Sequence, residues 1–361
     1  MQGFLATLLQ CSVSMSLVTL VYAALRPLLS KRYAAKWNYV VWLLIAAGWI
    51  FPFRPRIDLL FLPVQSTINT IPLMDIGDIG NNWATIPLWW VLAAIWGGGV
   101  LSIVLYHALR HDRFMKMVRR WSEPVTDLKI LGVLDSLSSE HGIKKHIGLS
   151  VCESVTSPML VGFFRPVILL PPIKISDDDF SLILRHELIH FKRHDLWYKA
   201  MILTATVFHW FNPVVYLMAR AAAEQCEISC DALVLQNADY QQRMRYGETI
   251  IDVVRNGEKL QTALSTNFYG GKKGLKNRIS SIMDLKRKKA GVLILCMALV
   301  GIIMTGSALA AADNADGPPE SITTPSVTSS NNSDSVNDNS NNNEVTRLKE
   351  LLHRLYIVNG K

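Results

Sequence analysis

Charged side chains are scarce in this chain. Lysine, arginine, aspartate and glutamate make up 18% of its 361 residues, and half of the chain is apolar. A soluble domain ordinarily carries about 25% charge, so an ordinary soluble domain is excluded and membrane segments are expected. Cysteine is scarce as well. Of the five, Cys11 and Cys296 lie in apolar runs and Cys152, Cys226 and Cys230 in the centre, too scattered a set to build a disulfide framework. Cys226 and Cys230 are four apart, but no second Cys/His pair completes a structural zinc site with them, so they read as small buried helix residues. The glycine-rich stretch Phe268-Tyr269-Gly270-Gly271-Lys272-Lys273-Gly274 lacks the Walker spacing, which removes a phosphate loop. The formal charge of +8 comes from bases set beside apolar runs. That is the mark of membrane topology rather than of nucleic-acid binding.

Four apolar runs are expected to span a bilayer: Phe4 to Leu29, Trp37 to Phe53, Ile86 to Leu109 and Ala290 to Ala311. A cleaved signal peptide is the rival reading of the first and fits it poorly, since no basic region precedes it and no clean small-residue site follows. Basic clusters follow the first run (Lys31, Arg32, Lys36), follow the third (Arg110, Arg113, Lys116, Arg119, Arg120) and precede the fourth (Lys286 to Lys289). The positive-inside rule places these in the cytoplasm and both chain termini outside. The expected organisation is three spans in 1–110, a cytoplasmic domain in 111–289, a fourth span in 290–312 and an extracytoplasmic tail in 313–361. The Ser/Asn/Asp-rich tail reads as disordered, with a short helix at Leu348 to Leu355. Small residues before Asp313 leave a cut after Ala310 or Ala312 conceivable.

Within the central domain, Leu128, Leu131, Leu134 and Leu137 repeat every three residues, and Ile147, Leu149 and Val151 alternate. The first pattern predicts a helix and the second a strand. Pro158 to Gly162 and Pro166 to Pro171 read as two short strands around a turn. The prolines at both ends of the second suggest an exposed edge carrying Val167, Ile168 and Leu169. Ser176 with Asp177, Asp178 and Asp179 reads as a cap and acidic first turn of a helix. That helix carries Arg185-His186-Glu187-Leu188-Ile189-His190.

Residues four apart share a helix face, so His186 and His190 present two imidazoles to one metal ion, and Glu187 beside them is placed to accept a proton from water. Zinc, one per chain, needs a third protein ligand. Glu227 is the best candidate, with Asp231 one turn later to accept a hydrogen bond from a ligating imidazole. Asp195 is expected to orient the helix or a ligand. The apolar stretch from Tyr198 to Ala221 lies between His190 and Glu227, and one crossing would part the ligands. It is therefore expected to be a buried helical hairpin or to lie on the membrane surface. No residue is identified as the oxyanion donor; Tyr246, His194 and His209 are the candidates.

Several blocks together resemble the regulatory membrane metallopeptidases of the BlaR/MecR type. They are Ser157 to Gly162 with Pro166 to Pro171, the H-E-x-x-H-x-x-R-x-D of His186 to Asp195, Trp210-Phe211-Asn212-Pro213, Glu227-Ile228-Ser229-Cys230-Asp231, and Leu275-Lys276-Asn277-Arg278-Ile279. The resemblance runs from about residue 4 to residue 311. It implies a mainly α membrane protein with four transmembrane helices and an inserted α+β zincin-like (gluzincin) domain. It also implies zinc on His186, His190 and Glu227, Glu187 as base, and cleavage of a cytoplasmic regulator, such as a helix-turn-helix repressor, or of the chain itself. The beta-lactam sensors of that family carry a penicillin-binding domain after the last span. No S-x-x-K acylation site stands in the residues that follow it here, so direct beta-lactam sensing is not expected. The rival from another class is a non-catalytic, zinc-stabilised membrane scaffold, against which Glu187 stands. A transporter is disfavoured because the spans carry almost no ionisable residues.

Overall fold

The computed structural model describes residues 2–51, 87–172, 177–258, 271–286 and 288–314, all within one compact unit that runs to Asp316. The loop after the second apolar run, Ser176, the first three residues of the glycine-rich stretch and the C-terminal tail beyond Asn314 with its Leu348 to Leu355 segment lie outside the described residues.

Three helices open the chain: α1 (Gln2–Arg32), α2 (Ala35–Ile50) and α3 (Leu88–Trp121). Then come β1 (Ser122–Pro124), α4 (Leu128–Glu140), β2 (Gly148–Cys152), β3 (Met159–Val161) and β4 (Val167–Leu170). Six helices follow: α5 (Asp177–Lys192), α6 (Asp195–Phe208), α7 (Pro213–Val234), α8 (Tyr240–Glu258), α9 (Gly271–Ile282) and α10 (Val292–Asn314). Two of the expected spans, α1 and α3, form helices long and apolar enough to cross a membrane. α2, at 16 residues, is about 24 Å long, short of a ~30 Å hydrocarbon core. The apolar part of α10 with described side chains, Val292–Met304, is shorter still.

α1, α2, α6, α7 and α10 share one core, in which Met15, Trp42, Ile45, Trp49 and Met218 are fully buried. The stretch from Tyr198 to Ala221 is two helices, as the hairpin reading expects. The break follows from local chemistry. Asn212 Oδ1 accepts the Val214 N–H at 2.9 Å, Pro213 occupies the first helical position, and α7 starts there. The Asn212 amide also donates to Ser12 Oγ (2.7 Å) and Ser16 Oγ (2.8 Å) of α1, so one side chain both caps α7 and ties the hairpin tip to the bundle. At the same tip His209 Nε2 meets the Trp49 carbonyl at 2.8 Å.

The sheet has the order β1-β2-β4-β3, with β2 and β4 parallel and the outer strands antiparallel to their neighbours. This corrects the expectation for Val167, Ile168 and Leu169. β4 is an interior strand, bonded on both sides, and among the described residues the edges are β1 and β3. Pro166 and Pro171 stand just outside the four-residue ladder, so their missing N–H groups cost it nothing. The unbroken apolar run of β4 fits its position. Ile168 and Leu170 pack under α4 and α5, while Leu169 packs with Val118 at the far end of α3.

Candidate metal centre

α5 places its two histidines together because positions 186 and 190 are one turn apart, while Leu184 and Leu188 bury the opposite stripe against the sheet. His186 Nε2 and His190 Nε2 are 3.0 Å apart. Glu227, on α7, sends Oε2 to 3.5 Å from the first and 3.6 Å from the second. Three ligand atoms bound tetrahedrally at 2.0–2.1 Å from zinc stand about 3.3–3.4 Å from one another. The triangle of donors therefore matches a zinc-sized cation. Glu227 Oε2 is buried and has no hydrogen-bond partner, an orphan that such a cation satisfies. Glu187 is buried beside the pair.

Thiols also approach the pair. The donor atoms of His186, His190 and Cys230 lie within 4.8 Å of one another, as do those of His190, Asp195 and Cys226. Cys230 is already engaged with the His186 carbonyl, Sγ to O 3.5 Å.

Behind each imidazole stands a polar relay. Asp195 Oδ2 is 2.6 Å from His190 Nδ1, and Tyr39 of α2 donates to Asp195 Oδ1 at 2.8 Å. The Arg193 guanidinium lies 4.1 Å over the Tyr39 ring and its Nη2 is 3.4 Å from Asp195. On the other side, His186 Nδ1 is 2.8 Å from Tyr246 Oη, and that hydroxyl donates to Asp231 Oδ1 at 2.8 Å. Arg278 of α9 then holds Asp231 at both oxygens, at 2.8 and 2.9 Å. With protons on both Nδ1 atoms, both Nε2 lone pairs face Glu227.

Burial disfavours the charged imidazoles, yet the surrounding Cys230 and Glu227 outweigh it, raising His186 to about 10 and His190 well above its usual range. Burial alone would raise the Glu227 carboxyl, but His190, His186 and Lys199 hold it well below the usual carboxylate range. The pocket is built to hold positive charge.

The sequence-predicted residues His186, Glu187, His190, Glu227, Asp195 and Asp231 thus lie on adjoining elements around one point. Asp231 reaches His186 chiefly through Tyr246, its own oxygen being 3.4 Å from Nδ1. Of the three oxyanion candidates, Tyr246 stands behind His186, His209 is at the hairpin tip, and His194 is an exposed turn residue with φ 58 between α5 and α6. Arg278 and Tyr39 escaped the sequence reading. Arg278 had a signal: it interrupts the apolar stripe Leu275, Ile279, Ile282 of its helix. Tyr39 had none.

Asp195→Asn is expected to lower zinc affinity about 10–100-fold, because the amide no longer holds the His190 tautomer with a charge. Tyr39→Phe should lower it less. Competition with a chromogenic chelator measures both, and equal affinities in all three proteins would mean that the relay does not orient His190.

The sequence profile described as BlaR1 peptidase M56 matches residues 6–282. The regulatory protein BlaR1 of Bacillus licheniformis is 28% identical over 224 residues, 59% of this chain and 37% of the relative. The methicillin resistance mecR1 protein of Staphylococcus aureus is 24% identical over 303 residues, 77% of this chain and 51% of its own. The BlaR1 of Staphylococcus aureus is 26% identical over 316 residues, covering 80% and 52% respectively. The chain spans about half the length or less of these relatives.

Proposed function

This chain belongs to the BlaR1 peptidase M56 family, and on that premise we propose that it is an integral-membrane zinc metalloendopeptidase with a cytoplasmic active site. It acts in signal transduction by cleaving a cytoplasmic regulator, of the transcriptional-repressor class, or itself. The observation that carries this is the triangle of His186 Nε2, His190 Nε2 and Glu227 Oε2, with Glu187 on the next residue.

His186, His190 and Glu227 hold the zinc. Glu227 is preferred to Cys230 because its Oε2 sits at ligand spacing without a hydrogen bond, whereas the thiol already meets the His186 carbonyl. Three protein ligands leave an open position, as a catalytic site requires. Zinc, when bound, supplies a Lewis acid that lowers the pKa of water toward ~7 and polarises the scissile carbonyl. Glu187 accepts the proton of the attacking water and returns it to the leaving amine. Asp195, and Tyr246 backed by Asp231 and Arg278, keep the two imidazoles in the ligating tautomer. A substrate strand adds to the free edge of β3, at Met159, Leu160 and Val161, since β4 has no edge to offer.

In this reading α1, α2, α3 and α10 are the four spans and residues 111–289 the cytoplasmic portion, with both termini outside and 313–361 an extracytoplasmic tail. The short α2 is supported by the four helices packed around it, α1, α6, α7 and α10. The α6–α7 hairpin enters the bundle from the cytoplasmic side and returns, so both ligand-bearing helices stay on one face.

Purified protein is expected to hold one zinc per chain, and His186→Ala, His190→Ala and Glu227→Ala each to lose it. Elemental analysis decides. Zinc retained in all three variants, or lost from Cys230→Ser while Glu227→Ala keeps it, would overturn the ligand set.

A further inference from the structure

The β3–β4 connection turns at Gly162, whose φ is 88 and where a Cβ would meet the Arg165 carbonyl oxygen. The turn lifts Phe163 and Phe164 out of the sheet. Phe164 is 80% exposed. Phe163 meets Trp197 edge-on, ring centroids 5.0 Å apart, and Trp197 is itself 56% exposed. Phe163 is 38% exposed, so the described residues leave all three aromatic side chains partly or largely uncovered.

Their depth along the bundle follows from packing. Trp197 adjoins Tyr198, whose ring stacks on Tyr39 at 4.6 Å. Tyr39 is about one turn into α2. The start of α2 is fixed to the entry of α10 by two backbone bonds, Ala34 N to Lys289 O (3.1 Å) and Lys289 N to Arg32 O (3.0 Å). Lys31, Arg32, Lys36 and Lys289 therefore form a basic collar at that level, with Lys288 beside them paired to Asp284, and the Tyr39–Tyr198 stack lies just inside it. That is where cationic side chains meet lipid phosphates and where tryptophan rings favour the boundary with the acyl region.

We infer that Phe163, Phe164 and Trp197 insert into the cytoplasmic leaflet and anchor the β3–β4 tip to the lipid surface. The inference rests on the membrane reading of α1, α2, α3 and α10 given above. Its consequence for specificity is direct. β3 leads into this tip, so its free edge is held at the bilayer, and the segments it presents for cleavage are membrane-proximal stretches of a substrate rather than distant loops.

The test uses the full chain in nanodiscs of three parts phosphatidylcholine to one part phosphatidylglycerol. Cys296, the one exposed thiol among the five cysteines, is changed to alanine. A nitroxide is then placed at Phe164→Cys, and its collisions with oxygen and with a water-soluble nickel chelate are compared. Leu101→Cys on α3, 67% exposed, and Leu128→Cys on α4, 83% exposed, are the references. The label at 164 is expected to match that at 101, with an oxygen-to-nickel collision ratio several-fold above that at 128. A label at 164 that matches 128 while 101 stays nickel-protected overturns the anchor alone. A nickel-accessible label at 101 overturns the membrane reading itself.

Discussion

Glu187→Gln is expected to leave zinc content unchanged and to slow cleavage about 10²–10⁴-fold, the usual contribution of a positioned general base. Glutamine keeps the size and burial of Glu187 but has no basic oxygen for the proton of the attacking water. None of the three proposed ligands is altered, so the metal stays. The comparison is made by profiling new N-terminal peptides in cells that express the unmodified chain or the variant, beside elemental analysis of both proteins. Peptides that depend on the unmodified chain and vanish in the variant identify substrate and mechanism together. Peptides that persist undiminished, with zinc still bound, would remove Glu187 from the chemistry. If the unmodified chain generates no new N-termini, the zinc-stabilised scaffold becomes the better account.

Arg278→Ala should be the most damaging change away from the metal donors. The guanidinium is buried, holds Asp231 at both oxygens and stands 3.5 Å from Glu227 Oε2. Asp231 is buried as well. Deleting one partner of a buried ion pair leaves an uncompensated charge and costs about 3–5 kcal/mol. The damage does not stay local. Asp231 anchors Tyr246, which anchors His186, so zinc affinity should fall with stability. Arg278→Lys is expected to recover only part of the loss, because an ammonium cannot grip both carboxylate oxygens in parallel. Thermal unfolding in detergent and zinc competition read the two effects. An unchanged midpoint with unchanged zinc affinity in Arg278→Ala would show that the pair contributes nothing.

The parts of this centre that follow from local rules could be read in the sequence. Helical spacing sets His186 beside His190, and Asn212-Pro213 starts a helix wherever it stands. The hairpin followed from a constraint, since one crossing between His190 and Glu227 would separate them. Reading failed where two rules competed. The prolines around Val167 to Leu170 suggested an edge, while the unbroken apolar run pointed to an interior strand, and the run was the better guide. It failed again where partners are distant in sequence. Arg278 breaks the apolar stripe of its helix, but only the approach of α9 to α7 gives it Asp231. Tyr39 belongs to an apolar helix and acquires its role from Asp195, 156 positions away.

Glu224, one turn before Glu227, is held from both ends of the chain: Arg26 of α1 reaches it at 2.9 Å and Asn277 of α9 at 2.7 Å. Contacts between such remote positions form late in folding, because the intervening chain must first be ordered. A nascent polypeptide stopped at Asp252 would already carry His186, Glu187, His190 and Glu227, yet neither Asn277 nor Arg278 would be there to set Glu224 and Asp231. A chain stopped there would therefore hold the proposed donors less firmly than the finished one, because α7 would lack the two contacts that α9 brings to it.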